Sequence, residues 1–202
     1  MGRKKRKKRG YPVGISVSFS EQEIRIWRIF SESIKKFKQY SLPRKWKNAT
    51  DKDKYHFYED LLNLLRPLID IGLKSIILIS PPDTNWSDDF LDHIKKHHRW
   101  LVRSKGNNRV SFGQISGNGR TISEVRYILE QEESKEVIRN ITSQETYHLI
   151  KELERSINIS NPYNIIQYGL EEVEDLIYKG GKKDESIAEK IEYLLLTDEF
   201  LE

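Results

Sequence analysis

Apolar and polar positions alternate along the chain from Val13 onward. In VGISVSF, Val13, Ile15, Val17 and Phe19 fall on one face. After the turn-like Ser20-Glu21-Gln22, EIRIWRIF sets Ile24, Ile26 and Ile29 among charged neighbours, and the alternation slips near Trp27. SIKKFKQYSL is a weaker third run. A period of two is what a strand with one face on a core requires, because successive side chains point to opposite sides. Three short runs joined by tight turns predict an antiparallel meander.

The period then changes. Phe57, Leu61, Leu64, Leu65 and Leu68 recur at helical spacing, while Asp60, Asn63 and Arg66 face away. Thr50 or Asp51 can cap this helix by accepting a free first-turn amide, and Pro67 is expected to kink or end it. LKSIILIS is a continuous apolar run stopped by Pro81-Pro82, the pattern of a strand buried on both faces. Trp86 to Val102 reads as one helix with Phe90, Leu91, Ile94 and Leu101 inward. Asn107-Asn108 is a turn, Arg109 to Ile115 a strand, and Ser116-Gly117-Asn118-Gly119 a second turn. Thr121 then caps ISEVRYILEQ, with Glu124 at capping-box spacing. Strands followed by alternating helix and strand predict an α/β sandwich of mixed strand direction.

EQEESKE (Glu130 to Glu136) is charged and poor in apolar residues, and is expected to separate two domains, 13–131 and 137–202. The second contains a helix around Gln144 to Ser156, a loop NISNPYN, a helix in YGLEEVEDLIYKGG and an apolar strand IEYLLLT. One strand's worth of sheet is too little to close a separate core, so this unit is expected to be partial and to lean on another surface.

Composition changes this picture at one end. The net charge is +4 over 202 residues, yet Arg3 to Arg9 reads RKKRKKR, seven basic residues without an acid, so the remainder is net acidic. Such a run repels itself and offers no apolar surface, so residues 1–12 are expected to form a disordered basic tail whose natural partner is a polyanion. Counterion release makes such binding favourable and steeply salt-dependent. There is no cysteine, which removes disulfides and thiolate metal sites. No apolar run reaches membrane-spanning length and no leader is recognisable, so a cytoplasmic protein without a membrane partner is expected.

A second basic surface precedes the first helix. In SLPRKWKNATDK, Arg44, Lys45 and Lys47 offer cationic groups to phosphate, and Trp46 offers an indole for stacking on a base. The alternative is that Trp46 folds back on the sheet and the charges are solvated. Other candidates are weaker. His93 and His97 of DHIKKHH share a helical face with Asp89, and His98 follows; lying among lysines, they are expected to be solvated surface and not a metal site. Asp88-Asp89 lacks the converging strand-end carboxylates of a two-metal nuclease. Gly117-Asn118-Gly119 has neither the further glycines nor the lysine of a nucleotide loop. No catalytic residue and no cofactor is assigned.

Four segments, in order, carry a resemblance: SLPRKWKN with KYHFYEDLL, IILISPPDTNWSDDFLDHI, VSFGQISGNGRTISEVRYIL, and YGLEEVEDLI with LLLTDEFLE. Together they resemble the Pelota branch of the archaeo-eukaryotic release-factor family. The resemblance implies a mixed-sheet central domain of release-factor type followed by a shortened α/β C-terminal unit. The family's Sm-like N-terminal domain is expected to have no counterpart here. Release factors of the family carry Gly-Gly-Gln in the loop that here reads RKWKNATDK, and no such tripeptide occurs in this sequence. Hydrolysis of peptidyl-tRNA needs a small flexible loop and a backbone amide beside the ester. The resemblance therefore implies a non-catalytic ribosome-binding factor. It would occupy the tRNA-acceptor region of the large subunit, with Arg44, Lys45, Trp46, Lys47 and Arg3, Lys4, Lys5, Arg6, Lys7, Lys8 and Arg9 on rRNA. Its role would be ribosome rescue or hibernation. Alternatives are an RNA-acting enzyme (a divergent peptidyl-tRNA hydrolase or a nuclease) and an adaptor for a translational GTPase or ATPase.

Overall fold

The computed structural model describes residues 10–42, 48–103, 109–158 and 169–178. The meander forms as the alternation predicts: β1 (Pro12–Phe19), β2 (Glu23–Phe30) and β3 (Ile34–Ser41). Helix α1 (Asp51–Asp70) and strand β4 (Ser75–Ser80) follow, then α2 (Trp86–His97), α3 (Arg99–Arg103), β5 (Ser111–Ser116), α4 (Ile122–Glu130), α5 (Glu132–Asn158) and α6 (Leu170–Tyr178). Five strands make one sheet in the order β3-β2-β1-β4-β5. The meander is antiparallel, whereas β4 lies parallel to β1 and β5 parallel to β4. The expected α/β sandwich of mixed direction is the fold observed.

Helices cover both faces. On one, Ile15, Val17, Phe19, Ile24, Ile26, Ile76 and Leu78 meet the inner stripe of α1, Phe90 and Ile94 of α2, and Leu101 of α3. On the other, Trp27, Ile77 and Ile79 meet Val125 and Ile128 of α4 and Ile141 of α5. Every residue of β4 is buried, as its unbroken apolar run requires. Val13 departs from expectation: it is exposed, in the irregular stretch where the register of β1 shifts between Pro12 and Gly14.

The apparent slip near Trp27 has a structural reason. Around Trp27, β2 is regular against β1, with Val17 opposite Ile26 and Ser16 opposite Trp27. Ile24 and Ile26 enter one core, and Trp27 and Ile29 pack in the other, so a strand buried on both faces loses its one-sided pattern. Trp27 Nε1–H donates to Ser18 Oγ at 3.1 Å, which satisfies the indole in that second core. The irregularity lies in the partner strand, where pairing jumps from Ile26–Lys38 to Trp27–Lys36 and leaves Phe37 as the extra residue.

Pro67 does not end α1, which runs on to Asp70, and Leu68 and Ile69 beyond it are buried in the core that holds the last turn. The helix stops instead at Gly72, whose φ of 95° suits a residue without Cβ. Gly72 N–H donates to Ile69 O and Leu73 N–H to Leu68 O, both at 3.0 Å, the paired bonds of a Schellman motif. At the other end Thr50 and Asp53 form a reciprocal capping box, and Thr121 and Glu124 do the same for α4.

The segment expected to divide the chain is helical. Glu130 ends α4, Gln131 lies between the helices and EESKE opens α5, where Ser134, Val137, Ile138 and Ile141 turn one side to the sheet. Gly113 of β5 permits the approach, since a Cβ there would lie 2.6 Å from Val137 Cγ1. The compact unit consequently extends to Leu153, and the second unit, Glu154 to Glu202, is described only at the end of α5 and in α6. The expected turn at Asn107-Asn108, the strand IEYLLLT and most of NISNPYN lie outside the described residues.

Candidate functional site

Arg3 to Arg9 and Arg44 to Lys47, the residues expected to touch RNA, lie outside the described residues. What is described is the frame that holds the second segment. On its upstream side, Leu42 N–H donates to Gln22 O at 2.8 Å and the leucine packs on the core. On its downstream side, Thr50 is fixed by the capping box with Asp53. Tyr40 Oη donates to Asp60 Oδ2 at 2.8 Å, tying the end of β3 to the third turn of α1. This bond, with burial second, raises the Tyr40 pKa above its ordinary value. A chain that leaves and re-enters a rigid scaffold at two fixed points is how binding loops are presented.

β3 adds charge that the sequence reading left unused. It is an edge strand whose Lys36 and Lys38 are exposed, with Lys35 half-buried. No acid interrupts the chain from Ser33 to Thr50, so the lysines of this edge run directly into Arg44, Lys45 and Lys47 in sequence. Edge lysines also discourage pairing with another sheet, so the run serves solubility and polyanion contact alike.

The histidines are not where the sequence placed them. His93 is buried, not solvated, because α2 rolls it against α1 between the rings of Tyr55 and Tyr58, whose centroids lie 5.1 and 5.2 Å away. α2 and α3 are not one helix: the chain breaks at His98, and the break turns that ring back toward α1. One oxygen, Glu59 Oε1, accepts from His93 Nε2 at 2.9 Å and from His98 Nε2 at 2.7 Å. Side-chain exposure is 6% for His93, 12% for His98 and 25% for Glu59. Burial pushes the His93 pKa below its ordinary value, despite the opposing pull of Glu59. For Glu59, burial acts to raise the pKa, but the hydrogen bonds from His98 and His93 outweigh it and leave the group below the ordinary value. The trio therefore holds a carboxylate between two imidazole N–H donors. His97 remains exposed, with its ring centroid 4.8 Å from that of His93.

The remaining candidates are structural. Asp88 Oδ1 accepts from Gln114 Nε2 at 2.8 Å and so links α2 to β5; no second carboxylate shares that bond. The Gly117-Asn118-Gly119 turn is held by Gly117 N–H donating to Ser80 O at 2.8 Å, and Gly119 packs so closely on Ser18 that a Cβ would sit 2.4 Å from its Oγ. Glu59 is the residue that sequence reasoning missed. Its partners are 34 and 39 positions away, and only the packing of α2 on α1 brings them together.

The sheet, an antiparallel meander followed by parallel strands with helices on both faces, makes a mixed α/β domain. No protein-family model matches the chain, and the search of curated proteins finds no match. Among solved structures, S. cerevisiae Dom34 is similar with a TM-score of 0.52 and 15% identity, over 83% of this chain and 46% of that one. That protein is described as a translation termination-like factor involved in RNA quality control pathways and interacting with Hbs1. Archaeal Pelota, from a model of the ribosome-bound protein with ABCE1, is similar with a TM-score of 0.50 and 14% identity, over 82% of this chain and 44% of that one. The fold is that of the central domain of Pelota and Dom34. The chain spans less than half the length of each of these proteins.

Proposed function

We propose that this chain is a ribosome-associated factor of Pelota type that binds and does not hydrolyse. The observation that carries the reading is the fold shared with Dom34 and with an archaeal Pelota described as ribosome-bound. The acid-free stretch from Ser33 to Thr50 supports it, because a folded scaffold anchors that stretch on both sides. In this reading Arg44, Lys45 and Lys47 contact rRNA phosphates in the tRNA-acceptor region of the large subunit, and Trp46 stacks on an unpaired base. Arg3 to Arg9 lie along neighbouring RNA. The absence of Gly-Gly-Gln from the sequence favours occupancy over ester hydrolysis, with rescue or protection of the particle as the outcome. A translational GTPase or ATPase is the partner class, by likeness to structures described with Hbs1 and with ABCE1.

Sedimentation with purified ribosomes across a salt series tests this. The wild-type chain is expected to co-sediment at low salt and to release steeply as salt rises. Replacing Arg44, Lys45 and Lys47 together by Glu is expected to abolish association. Equal sedimentation of that variant at every salt concentration overturns the reading, as does turnover of peptidyl-tRNA by the purified protein.

A further inference from the structure

The Glu59, His93 and His98 cluster has no part in the ribosome reading, and its geometry goes beyond a pair of hydrogen bonds. Two imidazole nitrogens and a carboxylate oxygen from two different elements point at one spot. Their ligand atoms all lie within 4.8 Å of one another. We propose that these three residues form a binding site for a zinc-class divalent cation, which clamps α1 to the end of α2.

The donor set is the first argument. Imidazole nitrogen and carboxylate oxygen are the non-thiolate ligands that Zn²⁺ takes, at about 2.0–2.2 Å. A chain without cysteine has only these to offer. Geometry is the second. Tetrahedral bonds of that length set the donors about 3.3 Å apart, whereas the two imidazole contacts to Glu59 are 2.9 and 2.7 Å. The ion needs each imidazole–Glu59 pair to open by about half an ångström and the two imidazole nitrogens, within 4.8 Å of each other, to settle at the same spacing. In each neutral ring the hydrogen moves from Nε2 to Nδ1 by exchange with water, a change of tautomer that leaves the Nε2 lone pair free for the ion.

Shelter is the third argument. His93 and His98 are nearly enclosed, and the Tyr55 and Tyr58 rings wall the first of them. Rings packed this way fix ligand orientation before the ion arrives, which lowers the cost of ordering them. Three protein ligands leave a fourth position for water or for His97, which stands beside His93 on the exposed side. The helix break at His98 is then the device that completes the site: a continuous helix through 86–102 would carry this ring onward along its axis, away from Glu59.

Titration of metal-stripped full-length protein with Zn²⁺, followed by calorimetry and by thermal unfolding, tests the proposal. One ion per chain and a raised Tm are expected. In His98→Gln the amide N–H still donates to Glu59, but the group is a poor metal ligand. This variant is expected to keep the apo Tm and to lose affinity at least about tenfold. A His56→Gln control should bind as wild type. Absence of saturable binding by the wild type overturns the site, and so does unchanged binding by both His98→Gln and His93→Gln. Should the variants lose their folded circular-dichroism signal, Co²⁺ added to the wild type decides: intense four-coordinate visible bands support the site, and only the weak six-coordinate spectrum overturns it.

Discussion

Tyr40 and Asp60 join the end of the third strand to the third turn of the first helix through a 2.8 Å hydrogen bond, bracketing the segment that carries Arg44 to Lys47 in sequence. The Tyr40 ring also stacks at 5.6 Å on Phe57, one turn before Asp60. Tyr40→Phe keeps the ring contact and deletes the bond. The bond is largely open to water, so the expected loss is about 0.5–1 kcal/mol, read as a lower urea midpoint with an unchanged slope. An unchanged midpoint would mean that the bond does not brace the frame.

Glu145 predicts a pH dependence. It sits half-buried on α5 and accepts a hydrogen bond from Ser75 Oγ at the start of β4. Burial raises its pKa above the ordinary 4.5, and the opposing pulls of Ser75 and Lys74 do not cancel that. A carboxyl whose folded pKa is raised contributes stability below its unfolded pKa and loses it as pH climbs through the folded value. Glu145→Gln keeps an acceptor for Ser75 and carries no charge. It is expected to be more stable than wild type at pH 7, with the difference vanishing as pH falls toward 4. Denaturation midpoints at several pH values check this, and parallel wild-type and variant curves would refute it.

Gly113 predicts a packing limit. An added methyl would lie 2.6 Å from Val137 Cγ1 and 3.2 Å from Ile141 Cγ2, both on the helix that covers this end of the sheet. Gly113→Ala is expected to cost about 1–3 kcal/mol by pushing that helix outward. Limited proteolysis would reveal the same change as earlier cleavage within residues 132–153. Stability equal to wild type would show that α5 yields freely.

The fold was legible where one physical rule dominated. The unbroken apolar run of β4 and the capping box of Thr121 and Glu124 depend on local sequence and stand as read, and the alternation located β1 although both its faces are buried from Gly14 to Phe19. It was misread where two rules competed. Trp27 looked like a slip because β2 feeds two cores, and Pro67 looked like a stop because buried Leu68 and Ile69 lie beyond it. EQEESKE looked like a linker because a helix with only one covered side shows few apolar residues in its first turns. The histidines were seen as a cluster, but their enclosure was not, since Glu59 approaches them only through tertiary packing. The break at His98 has no glycine or proline to announce it.

The strand that opens the fold is also its middle. β1 pairs with β2 at once, yet its other side pairs with β4, beyond the whole of α1, with Ile15 opposite Ile76. Until β4 is made, that side of β1 has no partner in the sheet, and the intervening α1 packs its apolar stripe against the same strand through Ile15 and Val17.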